Sequence, residues 1–101
     1  MEVLGKKVII RASRAGVFFG TVKEVRESEA GVSVELENSR RIWYWAGANS
    51  LSQLATEGTK NPNECKFSVV VPQHIVMNVI EIIPCTDKAI ESIESVRVWK
   101  R

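Results

Sequence analysis

The chain is short of the residues from which metal centres and hydrolytic sites are built. Its 101 residues include one histidine, His74, two cysteines, Cys65 and Cys85, and a single aspartate, Asp87. A structural zinc site needs four ligands, usually Cys or His, and these three candidates have no C-x-x-C spacing, so no metal is expected. With one Asp and no Gly-x-Ser-x-Gly turn, His74 lacks the partners of a catalytic base and reads as structural or surface. The glutamates fall mostly in turns or alternating positions, which suits solvated faces rather than paired-carboxylate chemistry. Neither a Walker loop nor a dinucleotide fingerprint is present, and no cofactor is expected. No apolar run approaches the roughly 18 residues of a membrane span.

Charge is scarce too. The net charge is +2, with eight Lys/Arg against six Asp/Glu in residues 1–50 and six of each in residues 51–101. Long nucleic acid needs several phosphate contacts at once, and this excess is too small for it, whereas a few arginines can still be focused on one small anion. No signal peptide is read in Met1-Glu2-Val3-Leu4-Gly5-Lys6-Lys7, which is soon charged, so two thiols in a reducing cytoplasm are expected rather than a disulfide. Repeats, linkers and low-complexity stretches are missing, and the length suits one domain, residues 1–101, with one modest core.

What the chain does have is β pattern. Lys7–Arg11 and Val17–Val25 read as strands separated by Arg14-Ala15-Gly16. Arg26–Gly31 reads as a turn, Val32–Glu37 as a half-buried strand, Asn38-Ser39 as a turn and Arg40–Trp45 as the next strand. Ser50 has the spacing of a helix cap before Leu51, Leu54 and Ala55, and Gly58 is placed to stop that helix. Lys66–Val71 reads as a strand ended by Pro72, and Ile75–Ile83 as a buried strand closed by Pro84. Thr86 caps a second helix to about Glu94, and Val96–Lys100 is a tail that can pair at a sheet edge. The fold expected is α+β: a small, mostly antiparallel β-sheet domain with two short helices.

The richest stretch is Arg40-Arg41-Ile42-Trp43-Tyr44-Trp45. In a strand, Arg41, Trp43 and Trp45 share one face and Arg40, Ile42 and Tyr44 the other. A guanidinium fits phosphate oxygens and an aromatic face is a platform for a nucleobase, worth roughly 1–3 kcal/mol per stacked base. That pairing points to a nucleotide-like ligand. The competing reading is an aromatic core strand with solvated arginines at one end. Arg11–Gly20 is the second such stretch: Arg14 stands beside Gly16, where a turn can offer N–H groups to an anion, and Phe18 and Phe19 point to opposite faces. Arg97-Val98-Trp99-Lys100-Arg101 repeats the basic-plus-aromatic theme, alternatively as a solvated tail with one anchoring Trp. Asn78 and Glu81 are polar positions in an apolar run. Asn78 faces outward or is aimed at a ligand, and Glu81 is an edge charge or accepts from an Arg.

At Arg14–Gly20, at Arg40–Ala48 and at Glu81-Ile82-Ile83-Pro84-Cys85-Thr86 the chain resembles a family of small phage proteins, the Thoeris anti-defence sponges of the first type. The resemblance runs from Val8 to about Lys100. It implies a protein that binds cyclic ADP-ribose isomers made by host TIR-domain enzymes and holds them uncleaved in the host cytoplasm. Some members are also described as binding cyclic oligonucleotide signals. It implies a homo-oligomer built from dimers, with a hexamer among the candidates, and pockets at subunit interfaces. By similarity a base-stacking role falls on Phe67 and ligand contacts on Asn78 and Arg97. Residue chemistry adds Arg14, Phe18, Arg41 and Trp43. No enzyme is expected. The alternatives are a single-stranded nucleic-acid-binding module using the same residues, which the weak charge disfavours, and a nucleotide-degrading enzyme, which the missing catalytic groups disfavour.

Overall fold

The computed structural model describes residues 2–100. The elements follow in the order β1 (Lys7–Ala12), β2 (Gly16–Ser28), β3 (Gly31–Tyr44), α1 (Leu51–Glu57), β4 (Lys66–Phe67), β5 (Val71–Val76), β6 (Val79–Pro84) and α2 (Asp87–Glu94), with a 3₁₀ turn at Pro62–Glu64. Every strand–strand ladder is antiparallel. The architecture is thus a small α+β domain.

The strands run β3-β2-β1-β6, and β4 and β5 share the remaining edge of β3. β4 pairs at Ile42–Tyr44 and β5 at Val34–Ser39. β5 and β6 therefore belong to opposite edges, yet only Met77 and Asn78 join them. Such a link requires the sheet to curl until its edges approach, and β3 does touch β6. Val32 meets Val79, Ile80 and Ile82 there around a shallow cleft.

The curl has a sequence origin. Opposite Gly20 the register shifts by one, so Asn38 and Ser39 of β3 together face a single residue of β2. Asn38 takes a left-handed φ of 52°, which Asn tolerates better than most residues. A Cβ on Gly20 would crowd the Ser39 Cα at 3.2 Å, so the close approach at this bulge needs glycine. A second shift, between Val22 and Glu24, adds a residue to β2 instead. Asn38-Ser39, expected as a turn between two strands, is thus a bend inside one strand of 14 residues.

The curled sheet is buried on both faces, which explains the unbroken run Val8-Ile9-Ile10, fully buried at all three positions. Val8 and Ile10 join Phe18, Val22, Val34, Leu36 and Val76 inside the curl. Ile9 joins Phe19, Ile42 and Phe67 on the outer face, where Leu54 and Ile93 bring the two helices. The helices begin and end where expected. Ser50 accepts from the Gln53 N–H, Thr86 from the Ala89 N–H, and Gly58 stops α1 at a φ of 78°.

Three further expectations need correction. The strand read over Lys66–Val71 is two elements, β4 and β5, and Pro72 lies inside β5 rather than ending it. β5 pairs on one side only, so its missing N–H disturbs no ladder. The apolar run Ile75–Ile83 is not one buried strand. It breaks at Asn78, whose φ of 58° turns the chain from one sheet edge to the other, leaving Ile75 and Ile80 exposed. The turn expected over Arg26–Gly31 is only Glu29-Ala30, because β2 continues to Ser28.

Candidate functional site

The most exposed concentration of aromatic rings lies where the end of β3, β4 and the C-terminal segment meet. Trp43 is 54% exposed, Tyr44 52% and Trp99 37%, against a core in which Phe18 and Phe67 show nothing to solvent. The tail is fixed by backbone: Val98 bridges Phe67 in parallel, and the Trp99 N–H donates to the Phe67 carbonyl at 2.9 Å. This sets the Trp99 ring edge-on to Trp43, with centroids 5.8 Å apart. Cross-strand pairing places Lys66 beside Tyr44. Its Nζ stands 5.1 Å from the Trp99 ring centre and 5.9 Å from that of Tyr44. Arg97, Trp99 and Lys100 continue into a cleft of about 310 Å³ whose opposite side is Pro62, Asn63 and Cys65. The patch thus combines rings for stacking with three cations, Lys66, Arg97 and Lys100, and it is open to solvent.

The seven residues singled out from sequence divide into three groups. Trp43 and Arg97 belong to this patch. Arg14, Arg41 and Asn78 gather at the β1–β2 turn: an Arg41 Nη donates to the Ala15 carbonyl at 3.2 Å, and the Ser13 N–H donates to the Asn78 carbonyl at 3.0 Å. Asn78 also lines a small cleft of about 100 Å³ with Gly31 and Ser33, so it faces outward. Phe18 and Phe67 are core residues. The stacking expected of Phe67 and the ligand contact expected of Phe18 do not fit this chain, because each ring is fully buried and already carries a guanidinium. Arg41 lies 4.7 Å from the Phe18 centroid and Arg40 5.1 Å from that of Phe67. The three Arg/aromatic stretches therefore do not converge on one pocket within the chain.

Arg40 and Ile42 share one face as expected, both against Phe67, but the solvated reading of Arg40 and the facing of Trp45 are corrected. Arg40 is not solvated but 5% exposed. Its Nε donates to the Ser68 carbonyl at 3.0 Å, and one Nη to the Val96 carbonyl at 2.7 Å and the Ile93 carbonyl at 3.4 Å. It thereby closes the C-terminal end of α2, where carbonyls lack partners and a cation is favoured. Its second Nη is buried without a partner, and burial lowers its pKa. Trp45 lies beyond the end of β3 and packs against the outer core instead of standing beside Arg41. Tyr44 and Lys66, absent from the candidates read in the sequence, enter the patch through their cross-strand pairing. Trp99 enters through the bridge made by the tail.

His74 is a structural histidine. Its Nδ1 is 2.9 Å from the buried Ser39 hydroxyl and its ring meets Phe18 edge-on at 4.9 Å. Partial burial, then the nearby Arg41 charge, lower its pKa. A nucleophile–base pair would need an accessible hydroxyl, and Ser39 shows none. Glu81 is ion-paired with an arginine, its Oε1 standing 3.4 Å from Arg11 Nε. Both thiols are free, and burial pushes that of Cys85 up to about 11. Among the described residues, no three His, Cys, Asp or Glu side chains are grouped to hold a metal ion. No helix among them is long and apolar enough to cross a membrane.

Fold and patch together define a small curled-sheet domain that displays an aromatic and cationic surface. The chain belongs to the family described as a domain of unknown function (DUF6948), whose model matches residues 5–93. No curated protein and no solved structure matches it.

Proposed function

We propose that this protein is a non-catalytic binding protein that sequesters a small cyclic nucleotide signal, a cyclic ADP-ribose isomer, as a phage sponge against Thoeris immunity in the host cytoplasm. The observation that carries the reading is the Trp43–Trp99–Lys66 cluster with Arg97 beside it. An adenine can stack on an exposed indole while a pyrophosphate takes the lysine and arginine charges. The resemblance in the Arg14–Gly20 and Arg40–Ala48 stretches supports the choice of ligand. The patch is open, and a tight site excludes more water than one shallow cleft does, so a second copy of the chain closing over Trp43 and Trp99 belongs to the proposal. Assembly from dimers is its minimum form.

Native mass spectrometry with a cyclic ADP-ribose isomer tests this directly. The expected spectrum is a homo-oligomer carrying ligand, which leaves at its original mass after heat denaturation. A ligand-free monomer, or linear ADP-ribose accumulating catalytically, overturns the proposal. A second reading, a single-stranded nucleic-acid-binding module, draws on the same openness of the patch. It predicts an affinity that falls steeply with salt, whereas a pocketed dinucleotide depends on salt less.

A further inference from the structure

A second cleft, on the outer face of the sheet, is built from different chemistry. Register sets Glu81 opposite Arg11, and Arg11 opposite Val17, so the three form one row across β6, β1 and β2. The row lies on the face of Ile9 and Phe19, which the helices cover, but α1 begins only at Leu51. Trp45, Ser50 and Leu51 therefore stand as a wall over the uncovered end of the row, with Ser52 beside them. They line an open cleft of about 340 Å³. That volume falls at the lower end of the range of small-molecule sites, about 300–1,000 Å³.

We propose that this cleft binds a polyhydroxylated ring carrying a vicinal diol, a ribosyl or glycosyl group. Arg11 Nε and Glu81 Oε1, 3.4 Å apart, offer a donor and an acceptor side by side. Two neighbouring hydroxyls, each able to donate and accept, match both at once. The charges of the pair cancel, so a free phosphate attracted by Arg11 is repelled by Glu81. In this the cleft differs from the cationic patch at Trp99. A purely apolar ligand would strip both ions of water and return no hydrogen bond. The Trp45 indole supplies the flat surface on which the C–H face of a sugar ring rests. The Ser50 hydroxyl accepts from the Gln53 N–H and keeps its own O–H to donate, so Ser50 and Ser52 can both serve further ligand hydroxyls. The inference does not depend on the patch or on its ligand.

The test is a titration of isotope-labelled full-length protein followed by NMR, reading the Trp45 indole N–H and the Ser50–Ser52 amides. The probes are methyl glucopyranoside, adenosine and 2′,3′-dideoxyadenosine. Shifts with adenosine alone identify a ribosyl ligand and shifts with the glucoside a glycosyl one, and either upholds the site. Glu81→Gln should weaken the successful probe about tenfold, the ratio that ~1.4 kcal/mol represents, with the melting temperature nearly unchanged. Trp45→Leu serves as the second variant if Glu81→Gln folds poorly, with a comparable loss expected. Equal shifts with the dideoxynucleoside, no shift at millimolar glucoside and adenosine, or unchanged affinity in both variants overturns the proposal.

Discussion

Replacing Arg40 with alanine should separate the two adjacent arginines that look equivalent in sequence. Arg40 makes two well-formed charge-assisted bonds, to the Ser68 and Val96 carbonyls at 3.0 and 2.7 Å. Such bonds contribute roughly 1.5–3 kcal/mol each. Its position over the buried Phe67 ring adds about 2 kcal/mol. Against this gross gain of about 5–8 kcal/mol stands the several-kcal/mol cost of desolvating a buried cation, one Nη of which finds no partner. The net loss in Arg40→Ala is therefore about 2–4 kcal/mol. At roughly 4–8 °C per kcal/mol for a domain of this size, the melting temperature should fall by about 8–32 °C. Arg41→Ala, which gives up one 3.2 Å bond and the guanidinium's place 4.7 Å from the Phe18 ring centre on a partly exposed side chain, should cost about 1–2 kcal/mol. Urea denaturation of both variants, with the slope m compared to wild type, gives the two values. Arg40→Ala within 1 kcal/mol of wild type would refute the claim that this guanidinium anchors the end of α2 and the C-terminal segment.

Arg97→Ala should weaken binding of the cyclic nucleotide about ten- to a hundred-fold by calorimetry, the equivalent of one charge-assisted bond of roughly 1.5–3 kcal/mol, while the melting temperature holds because Arg97 is exposed. Gly58→Ala should destabilise by about 2 kcal/mol or more in urea, since the residue has a φ of +78° and a Cβ there would overlap the Ser92 side chain of α2. His74 has a pKa lowered below its ordinary 6.5. Its unfolded form thus takes up a proton first, so its share of stability is full above about pH 6.5 and is lost as pH falls through the lower folded value. Melts between pH 7.5 and 5 should show that loss, and His74→Gln should flatten it.

Much of the fold was legible because local chemistry and the final structure agree. Ser50, Gly58 and Thr86 mark helix ends by side-chain hydrogen bonds and backbone dihedrals that operate within a few residues. The misreadings occur where a tertiary constraint redirects a local signal. Asn38 does favour a left-handed turn, but Gly20 opposite lets the chain absorb it as a bulge and continue. Pro72 can lie within a strand only because β5 is an edge, which no window of sequence reveals. The aromatic and cationic patch was legible in composition and not in placement. Trp43 and Arg97 are exposed as a ligand contact requires, whereas Phe18 and Phe67 show that a phenylalanine beside arginines can be core with the guanidinium resting on it. Arg40 and Arg41 differ by one position, and the bulge at Asn38 decides which of them faces the helices.

The central claim, that the Trp43–Trp99 surface holds a cyclic ADP-ribose isomer, is tested most directly by calorimetric titration of wild type and Trp43→Ala with that ligand. Trp43 is more than half exposed, so truncating it should leave the fold intact. The account predicts saturable binding by wild type and a loss of about 1–3 kcal/mol in the variant, the contribution of one stacked base. Equal affinities in the two proteins, or no heat of binding in wild type, would contradict it.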